Sequence, residues 1–230
     1  MRSVGPIARR LLWQNRWLFL LLALWPFIMA AILLAAGTPD PDDVLWMLHQ
    51  ECFAGLALVA VTGSTLLGNE QRSRRIVTVL SRAVSRPVYL FALLVTAWLP
   101  LVLYASGFLL AGVMLARSTH QPWNEVFEMA VLQLLLGAWA GAVSILWSVL
   151  LPQLIASLVS VLCVALATYA GSFGFPGASR LFASLISGPA AKRAGADVWL
   201  DAVLTLIAAA IWFGAASWVF TRRDLNLAAD

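Results

Sequence analysis

Six runs of apolar residues, each about as long as a bilayer is thick, constrain this chain more than any other feature. A helix needs about 20 such residues to cross the hydrocarbon core. The runs cover residues 17–37, 48–68, 87–116, 126–150, 152–171 and 198–220. They do not alternate as barrel strands would, so each must satisfy its own backbone, which only a helix does. The third is long enough to tilt or to begin at the interface. The expected fold is therefore all-α, a polytopic membrane protein with six transmembrane helices. Little is left for a water-facing surface. The chain is 62% hydrophobic and 11% charged, against about 45–50% and about 25% in soluble domains. Residues 1–230 are expected to form a single membrane domain.

Positive charge orients such a bundle. With six crossings, one side carries residues 1–16, the 69–86 segment, the 150–153 turn and the C-terminus. That side holds eleven arginines, Arg2 and Arg222 among them, against three acidic residues. The other side holds four basic residues against eight acidic ones, including Asp40, Asp42, Asp43, Glu51, Glu125 and Asp201. The asymmetry puts the first side, and with it both termini, in the cytoplasm. Arg2, Arg9, Arg10 and Arg16 before the first run resemble a signal-peptide start, but 17–37 exceeds the usual apolar stretch of about 7–15 residues. It is expected to be a retained span. Trp13, Trp17, Trp46, Trp123, Trp199 and Trp218 fall near span ends, where indoles anchor at the headgroup level. The basic balance thus serves topology, and no nucleic-acid partner is implied. The expected location is a cell membrane, bacterial inner or plasma membrane, crossed several times.

Two connections differ from the rest. Leu150-Leu151-Pro152-Gln153 is uncharged and short, so spans four and five form a tight antiparallel hairpin, with Pro152 in the first turn of the fifth helix. Residues 172–197 are long for a simple connection. They hold Gly174, Pro176, Gly177, Gly188 and Pro189 around an apolar stretch, 181–186, too short to span. Leu181, Leu185 and Ile186 are therefore expected in an outer re-entrant or interfacial segment.

Catalytic chemistry is missing from the pattern. No Gly-x-x-x-x-Gly-Lys-[Ser/Thr] phosphate loop is present. Ser172 sits between glycines, but no histidine follows it in a later span to act as its base. His49 and Cys52 are three residues apart beside Glu51, and no second cluster completes a metal site, so they read as a polar span end. Cys52 and Cys163 read as packing residues. The span centres carry no ionisable group of the kind that couples ions to transport. Thr62, Ser64, Thr65, Gln133, Ser144, Ser148, Ser157, Ser160 and Thr168 do lie within spans, with helix packing as the default role and lining of a path as the alternative.

Residues 69–89 carry the most specific signal. On a helix, Ile76, Val79, Leu80 and Ala83 share one face, and Arg74, Arg75, Thr78, Ser81 and Arg82 cover much of the rest. Glu70 lies near the N-terminus of this segment, where a helix dipole favours negative charge. Arg86-Pro87 ends the pattern. An amphipathic helix on the cytoplasmic surface follows, and it suits anionic lipid or a protein partner equally.

This stretch resembles the first cytoplasmic loop of ABC-2 type transporter permeases. That family commonly shows a Glu leaving the second span, a short amphipathic helix, and Leu-x-x-Pro-Val-Ser-Arg before the third. Here stand Glu70, then Leu80-Ser81-Arg82-Ala83-Val84-Ser85-Arg86, with Ala83 in place of the Pro and Arg74 where a Gly is frequent. The basic start, the six runs and Phe-x-Arg-Arg-Asp at 220–224 also resemble the family. The resemblance implies a permease subunit of an ATP-driven exporter without an ATPase site or cofactor of its own. ATP and Mg would belong to a separate cytoplasmic ABC ATP-binding subunit. A second permease copy or related permease and membrane lipids would be the other partners. It also implies a coupling helix between spans two and three, with Glu70, Arg72, Arg74, Arg75, Arg82, Ser85 and Arg86 at the contact. A non-transporting scaffold or accessory subunit is the alternative, and a membrane enzyme ranks below both.

Overall fold

The computed structural model describes residues 13, 16–37, 40–72, 85–119, 123–171, 173–187 and 198–222. Among these residues it contains seven α-helices and no strand. They are α1 (Arg16–Ala35), α2 (Pro41–Arg72), α3 (Arg86–Ser118), α4 (Trp123–Leu150), α5 (Gln153–Gly171), α6 (Ala178–Ser187) and α7 (Val198–Arg222). Five of them, α2, α3, α4, α5 and α7, are long and apolar enough to cross a membrane. Beside them stands α1, 20 residues long. The expected all-α multi-pass architecture holds in this form: five long apolar helices beside α1.

Helix starts follow local chemistry. The second helix begins at Pro41, seven residues before the expected start of its span at Leu48. Asp40 precedes it as N-cap, accepting a bond from the Asp42 N–H at 3.1 Å, Pro41 fills the first position, and Asp42 and Asp43 sit in the first turn. A capping carboxylate, a proline that needs no partner and two acids facing the dipole all favour nucleation there. At α3, Ser85 has extended backbone (φ −66°, ψ 143°) and its carbonyl accepts from the Tyr89 N–H at 3.0 Å. Between α4 and α5 the expected hairpin is present. Pro152 lies one residue before the helix rather than in its first turn, its carbonyl accepting from the Ala156 N–H at 2.9 Å.

The fourth helix is the axis of the bundle. It packs against α2, α3, α5, α6 and α7, and it is the most buried of the five long helices, with α5 and α7 the least. Small residues allow this. Gly63 of α2 lies against Ser144, and Gly141 faces Leu94 of α3, where a Cβ would stand 2.9 Å from a methyl. Close backbone approach of this kind replaces the hydrophobic drive that is lacking between helices in lipid. The first helix packs along α3. There a Cβ on Gly107 would stand 2.5 Å from the Ala23 carbonyl oxygen. Leu154, Leu158, Leu162 and Leu166 form an exposed row on α5, and Trp13, Trp17, Trp46, Trp199 and Trp218 are all exposed.

Candidate functional site

At the end of the bundle marked by Arg86 and Arg222, two polar contacts root the α2–α3 connection. Glu70, in the last turn of α2, is buried, and its Oε2 accepts a hydrogen bond from the Tyr89 hydroxyl of α3 at 3.3 Å. Arg86, the first residue of α3, donates through Nη1 to the Phe220 and Thr221 carbonyls, both at 3.0 Å, while its guanidinium stands 6.0 Å from the Phe220 ring. Those carbonyls belong to the last turn of α7, where helical partners run out and a cation is favoured. Tyr89, Leu90, Leu93, Val149 and Phe220 pack beneath these bonds. Of the residues expected at a coupling contact, the structure therefore joins Glu70 to α3 and Arg86 to α7, and gives Ser85 the N-cap position of α3. Arg72 ends α2. Arg74, Arg75 and Arg82 lie outside the described residues, as does the amphipathic helix expected there.

At the opposite end, residues 173–187 fold back onto the bundle. Gly174 and Gly177 take positive φ (77° and 79°), which lets the chain turn twice before α6. Asp201, in the first turn of α7, is 1% exposed. Its Oδ1 accepts from the Gly177 N–H at 2.8 Å, and its Oδ2 lies 3.4 Å from Nη1 of Arg180, whose Nη2 donates to the Gly174 carbonyl at 3.1 Å. One carboxylate thus ties the turn, α6 and α7 together. Asp201, counted among the outer-side acids, replaces water for a buried N–H and a half-buried guanidinium. The short helix α6 buries Leu181, Phe182 and Leu185, with the Phe182 ring edge-on to Trp139 of α4 at 5.6 Å. Gly171 passes directly over the Ser179 carbonyl, where no Cβ would fit. The segment is too short to span, as expected, and Ile186 lies in its last turn.

A third cluster lies inside the bundle. Glu51 is 4% exposed. Its carboxylate accepts from the Tyr104 hydroxyl of α3 and, at 3.1 Å, from Nε1 of Trp25 in α1. Nε2 of Gln133 in α4 donates to the Cys52 carbonyl at 3.2 Å and approaches the Glu51 carbonyl at 3.4 Å. Four helices meet at one acid. Two expectations are corrected here. Glu51, read as part of a polar span end, is instead buried well inside α2, and the interior carries an ionisable group where the spans were expected to have none at their centres. His49 likewise lies within α2, not in a loop. The cause is the early start of α2, which places Glu51 ten residues, or about 15 Å, inside the helix. The Asp40-Pro41-Asp42-Asp43 start signal was the cue.

The hydroxyls within helices follow the packing role. Ser144, Ser148, Ser160 and Thr168 each bond a carbonyl three or four residues back on their own helix. Ser64 and Ser157 also meet across α2 and α5 at 2.8 Å. Among the described residues no group of His, Cys, Asp and Glu could hold a metal ion, and Cys52 and Cys163 are free thiols.

No protein-family model, curated protein or solved structure matches this chain.

Proposed function

We propose that the chain is the membrane-spanning permease subunit of an ATP-driven transporter of the ABC-2 type, working as an exporter. In this reading α1 is the sixth crossing, the Arg86 end faces the cytoplasm with both termini, and the protein resides in a cell membrane. A separate ABC subunit binds ATP and Mg, and a second permease completes the path. The supporting observation is the way the α2–α3 connection is rooted. Glu70 is bonded to Tyr89 of α3, and Arg86 is bonded to the end of α7. A load placed on residues 73–84 would reach α2, α3 and α7 together, as a coupling element requires. ATP binding in the partner would then bias two arrangements of the bundle through its different affinity for each. The sequence pattern from Glu70 to Arg86, with its resemblance to ABC-2 loops, supplies the rest of the case.

The experiment is co-purification from detergent with co-expressed ATP-binding subunits of the ABC type from the same genome, then ATPase activity in lipid nanodiscs. Retention of the ATPase, with turnover that depends on this chain, is expected. A chain that never retains an ATP-binding subunit sinks the permease reading and favours the scaffold alternative.

A further inference from the structure

The interior cluster around Glu51 has no part in the reading above. We propose that it is a latch: Glu51 holds α1 against α2, and α1 leaves the bundle as a unit when Trp25 lets go of Glu51 while Tyr104 keeps its bond.

The two donors to Glu51 differ in what happens to them on release. Tyr104 is 2% exposed, and its hydroxyl also reaches the Glu51 carbonyl at 3.1 Å. Freed from Glu51, it would be a buried donor with no water to turn to. Trp25 is 40% exposed. Its indole sits at the rim of the cluster and can turn outward. The carboxylate, still bonded to Tyr104, is not stripped of every donor. Breaking the contact on the α1 side is therefore the low-cost route, and breaking it on the α3 side is not.

The rest of α1 agrees with a detachable helix. Its extensive packing is along α3 alone. The Ala23 carbonyl meets Gly107 of α3, with the Phe27 ring beside it. In contrast, α2 is tied to α4 at Gln133 and to α5 at Ser64–Ser157. When α1 parts, the face of α3 around Gly107, which now meets Ala23 and Phe27, is uncovered. The seam is apolar and suits acyl chains. The proposal concerns the fold and stands whether or not the chain transports anything.

Spin labels test it in a background lacking Cys52 and Cys163. One pair, on Ile32 of α1 and Phe127 of α4, reports the position of α1. The control pair, on Trp46 of α2 and Phe127, reports the rest. All three sites are exposed. Trp25→Phe keeps the ring and removes the N–H. The expected result is a second, longer distance population for the α1 pair and an unchanged distribution for the control pair. Glu51→Gln, which leaves a single carbonyl oxygen as acceptor, repeats the test without altering the indole and is expected to give the same selective change. If neither pair changes, Trp25–Glu51 does not hold α1. If both pairs broaden together, the cluster is general packing. Either result overturns the latch.

Discussion

Glu70 and Tyr89 face each other across the base of the α2–α3 connection, hydroxyl to carboxylate at 3.3 Å, with Glu70 only 8% exposed. An acid placed to meet a partner protein would ordinarily stand free. Here it is held by the next helix. If the chain is a permease, as proposed, the role of Glu70 in coupling would be to fix the angle at which the connection leaves α2. Glu70→Arg is expected to insert normally but to release the ATP-binding subunit or uncouple its hydrolysis from transport. Reversing one member of a desolvated polar pair costs roughly 2–5 kcal/mol, and a rim charge far less. Tyr89→Phe should show a weaker form of the same defect, about 1–3 kcal/mol for an acceptor left short of a donor. Nanodisc ATPase and transport assays on the co-purified complex check both. A fully coupled Glu70→Arg complex removes Glu70 from this role.

Sidedness follows from the arginine asymmetry. Single cysteines at Ser3, Ser73 and Asn226 should stay protected from an impermeant thiol reagent in sealed cells. Those at Thr38, Ser118 and Ser187 should react. Labelling at residue 73 from outside inverts the topology.

The Asp201 contact makes a thermal prediction. Asp201→Ala leaves the Gly177 N–H buried without an acceptor and Arg180 without its carboxylate. The expected loss is on the order of 2 kcal/mol. A lowered Tm in detergent should accompany easier proteolysis near residues 173–187. An unchanged Tm would show that the turn holds by packing alone.

Leu185 is 1% exposed beneath α6. Leu185→Asp would bury an unpaired carboxylate against α4 and α5, and it should abolish assembly or transport. Normal size-exclusion behaviour and full activity would mean that α6 is not seated as described.

At Gly107 any Cβ meets the Ala23 carbonyl oxygen at 2.5 Å, a backbone atom that cannot swing away. Gly107→Ala should displace α1 and cost about 1–3 kcal/mol, as overpacking does elsewhere. A lower Tm with ATPase retention preserved is the expected pattern.

The apolar runs placed five long helices and the α4–α5 hairpin, because length and hydropathy are properties of a segment by itself. They misplaced the start of α2, because Asp42 and Asp43 look like loop residues to a window that averages polarity. The N-cap at Asp40 and Pro41 carried the right boundary. The partners of Asp201 were not legible. Its acceptors are used by Gly177 and Arg180, 24 and 21 residues away, and no local pattern announces a partner at that distance. The Glu51 cluster was legible only in part. Gln133 stood out as a polar residue within a span, but its target is a pair of main-chain carbonyls on another helix. The latch geometry belongs to packing.

The order of the cluster along the chain bears on how the protein is made. Helices enter a membrane from the ribosome in sequence. When α2 arrives, Trp25 is already present, but Tyr104 lies about fifty residues downstream and Gln133 about eighty. For that interval Glu51 has a single donor, and its carboxylate is an unwelcome guest in lipid. Nascent α2 should therefore linger at the translocation channel, beside α1, until α3 emerges to complete the set. A chain truncated before Tyr104 is expected to integrate poorly and to be recovered by replacing Glu51 with Leu. The acid that binds four helices in the finished bundle would then also be what makes them wait for one another.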